Sequence, residues 1–166
     1  MRSLFVAAVA VLLMVGFAGE SFGQTSVNQN VTLAVNPIYL MAVSGDPAPL
    51  TITTGTAGSD ILTPVSDNST DYSITQNVAG TVKITAEIDA ALAAGYTLEV
   101  NLASVQGASQ GDMDISSATT GSAVDVVTGI AMGADPNQTI QYTFGALASA
   151  GQLAATTRVI TLTLTN

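Results

Sequence analysis

Residues 81–102 read TVKITAEIDAALAAGYTLEVNL, and this stretch decides the fold class. Aliphatic residues alternate with polar ones from Val82 to Ile88, and the same alternation returns from Tyr96 to Leu102. Because successive side chains of a strand point to opposite faces, each run predicts a strand with one apolar and one polar face. The alanine-rich connection between them, Asp89–Gly95, predicts a single helical turn, as does Leu147–Ala155.

The same period of two extends along most of the chain. It predicts further strands at Val31–Val35, Ile38–Val43, Leu50–Thr54, Tyr72–Val78, Val124–Ile130, Thr139–Phe144 and Thr157–Thr165. Turn signals rich in Gly, Pro and Asp separate these runs, among them Gly45–Pro47, Gly107–Gly111 and Asp135–Asn137. Eight or nine short strands at such spacing favour an all-β fold, a single antiparallel β-sandwich.

The first residues have the pattern of a signal peptide. Arg2 supplies a positive charge, residues 4–18 are almost wholly apolar, and the small residues Ser21 and Gly23 precede Gln24 by three and one positions. We therefore expect residues 1–23 to be a removed signal peptide, residues 24–36 an N-terminal strand and residues 37–166 the β-sandwich domain. No later apolar run has the length of a membrane span, so we expect a secreted protein without a transmembrane segment.

Composition argues against several classes of function. The chain has three basic and twelve acidic residues, a net charge of −9, and no His, Cys or Trp. Nucleic-acid binding needs clustered Lys and Arg, so no nucleic-acid partner is expected. Nucleophilic sites of the Ser–His–Asp or Cys–His kind need histidine, and no Gly-rich loop precedes a Lys as a phosphate-binding loop requires. We expect neither an enzyme nor a bound organic cofactor.

One acidic stretch is a candidate calcium site. Residues 67–71 read DNSTD, and Asp67, Asn68 and Asp71 offer the oxygen ligands that calcium prefers. The spacing does not follow an EF-hand loop, and the same residues are typical of a solvated turn whose side chains cap their own backbone. Both interpretations stay open at this point, as they do for Asp112 and Asp114 with Asp125.

The segment after the expected cleavage site is a candidate partner-binding strand. Val27, Val31, Leu33 and Val35 form an apolar ridge that ends at Asn36–Pro37. Pro37 removes a ladder donor and marks where one strand stops. Such a strand either pairs inside its own domain or fills the open sheet edge of another subunit by strand addition.

Both ends of the expected mature chain resemble a known family. The stretch NVTLAVNPI at 30–38, followed by GDPAPL at 45–50, and the closing VITLTL at 159–164 are similar to alpha-clade chaperone–usher fimbrial subunits of the colonisation-factor type. The resemblance implies a cysteine-free secreted sandwich of the immunoglobulin-like or pilin-like kind that polymerises by donating its N-terminal strand. Val27, Val31, Leu33 and Val35 would then be the side chains that enter the groove of the next subunit.

The sequence thus predicts a secreted bacterial surface protein with a structural or adhesive role. In this interpretation the chain is a fimbrial-type subunit that associates with itself or with another surface protein through its N-terminal strand. The alternative is a self-contained secreted β-sandwich that binds a glycan or calcium through its loops.

Overall fold

A computed structural model describes residues 26–166, so the expected signal peptide at 1–23 lies outside the described residues. The described chain contains nine strands and one short 3-10 helix, Ala148–Ala150. The strands are β1 (Tyr39–Val43), β2 (Val65–Gln76), β3 (Lys83–Ile88), β4 (Tyr96–Leu102), β5 (Ala108–Ser109), β6 (Met113–Asp114), β7 (Val124–Thr128), β8 (Gly133–Ala146) and β9 (Ile160–Thr165). Within residues 26–166, no helix is long and apolar enough to cross a membrane.

The strands form two antiparallel sheets. One has five strands in the order β1-β2-β8-β4-β6, and the other has four in the order β5-β7-β3-β9. Every pairing in both sheets is antiparallel, which confirms the expected all-β antiparallel class.

Both sheets contribute side chains to one hydrophobic core. In β3 and β4 the buried residues alternate with partly or fully exposed ones, as the period of two predicts. Aliphatic and tyrosine side chains of β2 and β8 complete the core from the five-stranded sheet, and β7 adds to it from the four-stranded sheet. The largest buried side chains are Tyr72, Ile84, Ile88, Leu102, Ile115, Ile130 and Ile140.

Two strands are longer than the sequence predicts, because bulges absorb residues that resemble turns. The stretch 67–71, which the sequence suggests as a calcium site or a solvated turn, lies instead inside β2, where the register with β8 shifts between Asp67 and Thr70. The predicted turn at 135–137 likewise lies inside β8, opposite a second register shift, and Asn137 there has a φ of 52°. A bulge leaves one residue unpaired, so Pro136, which has no N–H to donate, is tolerated there.

Three shorter predictions also differ from the structure. Residues 50–54 form no strand; Leu50 and Ile52 are partly buried, and Thr54 only accepts a hydrogen bond from the N–H of Thr63. Residues 89–95 contain no helix, whereas the second predicted helical turn is confirmed in part by the 3-10 helix. The predicted turn at 107–111 includes the short strand β5.

The chain divides into two units at the Val35–Asn36 boundary, and Asn36–Asn166 contains every strand of the described residues. Residues 26–38 adopt no regular secondary structure. The strand predicted at 31–35 is therefore not formed within this chain. Its alternating pattern has no paired neighbour on which to form a ladder, and an isolated strand has no hydrogen-bonded partner to stabilise it.

Candidate functional site

Two edge strands meet along one side of the fold. β1 is the last strand of the five-stranded sheet, β9 is the last strand of the four-stranded sheet, and the two strands lie in contact. The six core-facing residues of these strands are here named the seam: Tyr39, Met41, Val43, Ile160, Leu162 and Leu164. The seam brings together residues from the two ends of the second unit.

The β9 side of the seam is incompletely buried. Leu164, Leu162 and Ile160 lie opposite Ile84, Ala86 and Ile88 of β3 in the ladder. Directly opposed residues project to the same face of a sheet, so the β9 side chains point toward the core. The three β3 residues have no exposed surface, but the three β9 residues remain partly exposed. The core is therefore closed over β3 and open over β9.

The β1 side shows the same imbalance. Tyr39, Met41 and Val43 lie opposite residues of β2 that are between 1% and 3% exposed, namely Gln76, Ile74 and Tyr72. Val43 nevertheless keeps 53% of its surface exposed and Tyr39 keeps 38%. Apolar side chains on the core-facing side of both edge strands thus remain in contact with solvent.

Within residues 26–166, the positions of β1 and β9 at the ends of their sheets direct backbone hydrogen-bonding groups of the seam to two sheet edges. Ile38 exchanges hydrogen bonds with Asn77, and Ser44 donates to the carbonyl of Asp71, so the even-numbered residues of β1 bond to β2. In an antiparallel ladder the N–H and C=O groups of successive residues point to opposite sides of the strand. The backbone groups of the odd-numbered residues of β1 therefore point to the open edge. Just before β9, the carbonyl of Val159 accepts a hydrogen bond from the N–H of Asp89. By the same alternation, the N–H and C=O groups of the even-numbered residues of β9 point to its open edge. Such edges are templates for an added strand.

The predicted donor residues expose most of their surface. Val27, Val31, Leu33 and Val35 are exposed by 81%, 73%, 87% and 82%. Four aliphatic side chains in nine residues of uncharged chain are a large unburied apolar surface for a segment without secondary structure. Burying each of them would be favourable by about 1.5–3 kcal/mol.

The predicted calcium ligands lie at the first bulge of β2 rather than in a loop. The Asp67 carboxylate accepts hydrogen bonds from the Ser69 hydroxyl at 2.8 Å and from the Ser69 N–H at 3.3 Å. The bond from the Ser69 hydroxyl holds the pKa of Asp67 below its ordinary value. Asp71 contacts Ser44 through its backbone. The carboxylate of Asp67 thus caps its own backbone, as in the turn interpretation.

The other acidic residues singled out by the sequence have separate partners. Asp112 accepts from Asn101 at 2.8 Å, Asp114 accepts from the N–H and hydroxyl of Ser116, and Asp125 pairs with Lys83 at 2.7 Å. Among residues 26–166, no group of three or more acidic, His or Cys side chains is placed to hold a metal ion.

Sequence reasoning missed a buried carboxylate, Asp135. It is 1% exposed, and its Oδ2 accepts from the hydroxyl of Ser104 at 2.8 Å and from the N–H groups of Val105 and Gln106 at 2.9 and 3.1 Å. The other oxygen, Oδ1, has no hydrogen-bond partner within residues 26–166. Asp135 therefore fixes the loop after β4 onto the bulge of β8, a role that its Asp-Pro-Asn context hides because that pattern indicates a turn.

An apolar pocket of about 410 Å³ lies where β4 and β8 meet the 55–64 loop. Ile61, Leu62 and Leu147 line its walls, and two glycines, Gly95 and Gly145, line it without side chains. The loop is held in place because Asp60 accepts hydrogen bonds from the N–H and hydroxyl of Ser149, both at 2.8 Å. The pocket offers apolar contact but few groups that would orient a polar ligand.

Comparison of the chain with protein-family models, curated proteins and solved structures finds no match.

Proposed function

We propose that this chain is a structural or adhesive subunit of a bacterial surface that polymerises by strand addition. In the assembly, the Val27–Val35 segment of one copy fills the seam of the next. The two sheets then act as one β-sandwich that is open along β1 and β9 until the added strand closes it. Export through the expected signal peptide and a surface location belong to the same proposal.

The observation that carries the proposal is the unequal burial across the β3–β9 ladder. Ile84, Ala86 and Ile88 have no exposed surface, while Leu164, Leu162 and Ile160 opposite them stay partly exposed. An added strand would supply the missing apolar neighbours to the seam. It would also satisfy the open backbone groups of an edge strand.

The segment and the seam match in chemistry. Both are uncharged: no Asp, Glu, Lys or Arg occurs from Ser21 to Gly45 or in β9. Val31, Leu33 and Val35 alternate with polar or small residues, so that one face of the added strand would enter the core and the other would meet solvent. This match supports a second copy of the chain as the partner.

The alternative from the sequence, a self-contained module that binds a glycan or calcium, has less support. Asp67 is engaged by Ser69, and Asp112, Asp114 and Asp125 each have their own partner. A self-contained module would also gain nothing from leaving the seam and the Val27–Val35 ridge exposed.

Light scattering after size-exclusion chromatography tests the proposal on the exported chain. We expect the parent to form polymers and a Val31→Asp/Leu33→Asp variant to stay monomeric, because two charges would have to enter the apolar seam. The matched control is Asn30→Asp/Thr32→Asp, which adds the same charge to the opposite face of the segment and should still polymerise.

Two results would contradict the proposal. Equal polymerisation of the two variants would mean that the ridge does not make the contact. A monomeric parent whose melting temperature falls in the Val31→Asp/Leu33→Asp variant would mean that the segment completes its own domain.

A further inference from the structure

We propose that Asn77 is a positioning residue that directs the N-terminal segment to another copy by preventing its insertion into its own seam. The inference rests on the proposed function and concerns the three residues before β1. It assigns to Asn77 a role in the choice between assembly and self-closure.

Asn77 forms three hydrogen bonds with the chain just before β1. Its side-chain Oδ1 accepts from the N–H of Ile38 at 2.7 Å, and its Nδ2 donates to the carbonyl of Asn36 at 2.9 Å. Its backbone N–H donates to the carbonyl of Ile38 at 3.3 Å. The side chain thereby extends the β1–β2 ladder past Pro37, which has no N–H of its own.

These bonds fit an extended backbone at residues 36–38, which precede β1 and belong to no strand. Asn36 and Ile38 both direct their bonded groups toward Asn77, and residues two apart do so when the backbone is extended. Pro37 lies between them, and the residue before a proline is itself restricted to extended conformations. We call this set of three bonds the Asn77 clamp.

Insertion of the segment into its own seam would require the clamp to open. The segment is joined directly to β1, so it could pair with the open edge of its own β1 only as an antiparallel hairpin. The tightest register in which the ridge faces the core places Val35, Leu33 and Val31 opposite Tyr39, Met41 and Val43. That register leaves residues 36–38 as the turn, and these are the residues that the clamp holds extended.

The residues at 36–38 also suit that turn poorly. A three-residue hairpin loop places its first two residues in the helical region and its third in the left-handed region. Asn36 precedes a proline, which disfavours the helical conformation that the first position needs. Ile38 is β-branched, so the left-handed conformation of the third position would be strained. Among residues 26–166 only Asn137 combines a side chain with positive φ. The clamp and the local sequence therefore oppose the same self-closed state.

A disulfide trap measures self-closure, since the chain has no cysteine of its own. In the exported chain, Leu33→Cys and Met41→Cys would lie opposite each other in the self-closed hairpin, within reach of a disulfide. The intrachain bond is detected by mass and thiol titration, and polymers by light scattering. We compare Asn77 with Asn77→Ala, with Asn77→Asp, which keeps only the acceptor for Ile38, and with Asn68→Ala, an exposed control on β2.

We expect little intrachain disulfide in the Asn77 and Asn68→Ala chains, and about a tenfold rise in Asn77→Ala, with a matching fall in polymer, because two side-chain hydrogen bonds are lost. Asn77→Asp should move in the same direction. If Asn77→Ala only lowers the melting temperature and polymerises like its parent without the disulfide, the clamp inference is wrong and strand addition stands. If the chain without the two cysteines does not polymerise, the proposed function fails, and this inference fails with it.

Discussion

Leu162 of β9 lies opposite Ala86 of β3, yet Ala86 has no exposed surface and Leu162 is only partly buried. The difference arises from position, because among the strands of residues 26–166 β3 has a neighbour on both sides and β9 has a neighbour on one side. The same contrast holds for Leu164 and Ile84. A core-facing side chain on β9 therefore contributes less to the isolated chain than its opposite residue on β3.

Substitutions across this ladder should have unequal costs. We expect Ile84→Ala to lower the free energy of unfolding by about 2–5 kcal/mol, since it leaves a cavity in a closed part of the core. Leu162→Ala should cost clearly less in dilute, monomeric protein, because its site is already open to water. Urea unfolding of both variants measures the difference, and equal losses would show that the seam is closed in solution.

Asp135 should matter for stability through its hydrogen bonds. Asp135→Ala removes the acceptor of the N–H groups of Val105 and Gln106 and of the Ser104 hydroxyl. We expect the free energy of unfolding to fall by about 3 kcal/mol. Asp135→Asn keeps one oxygen that can accept from all three donors and should cost less. Thermal unfolding compares the two variants, and a larger loss in the Asn variant would contradict this account.

Stability should fall at alkaline pH because of Tyr72. Burial is the largest cause that raises the pKa of its hydroxyl to about 12, and the hydroxyl donates to the carbonyl of Ala103 at 2.6 Å. The unfolded chain releases this proton near its ordinary pKa of about 10. Because the folded chain holds the proton more tightly, the higher pKa adds stability that is fully present below about pH 10. The stabilisation is then lost as the pH rises from about 10 through 12.

Urea unfolding over this pH range checks the effect, with Tyr72→Phe as the variant that removes the group. The variant should lose part of the alkaline dependence, and burial of Tyr142, which also raises its pKa, should account for another part. An unchanged pH profile in Tyr72→Phe would assign the dependence to other groups.

The short core strands β3 and β4 were predictable from the sequence, but the full length of β2 and β8 was not. In β3 and β4 one face is buried along the whole strand, and the alternation records it directly. In β2 and β8 the residues at 67–71 and 135–137 have turn chemistry, while pairing with a long neighbouring strand keeps them in the sheet. Tertiary pairing overrides local preference at these bulges, which a single sequence does not reveal.

The candidate site was predictable on one side only. The ridge of Val27, Val31, Leu33 and Val35 follows from spacing, because an alternating apolar run needs a core to face. The seam depends instead on which strands are edges, and strand order in a sheet does not follow from the order of strands in the chain. Asn77 gave no signal at all, since its role depends on lying opposite Ile38 across the β1–β2 ladder.

Added salt should promote assembly if the segment enters the seam of another copy. Each chain has a net charge of −9, so two chains repel each other at low ionic strength. The contact itself contains no charged side chain, as neither the segment nor the seam has one, and it has no ion pair for salt to weaken. Screening shortens the range of the repulsion from about 30 Å at 0.01 M to about 10 Å at 0.1 M salt. Light scattering over this range should therefore show faster polymerisation with rising salt. Polymers that dissociate instead would indicate a contact held by ion pairs, for which the exposed Lys83–Asp125 pair would be the first place to look.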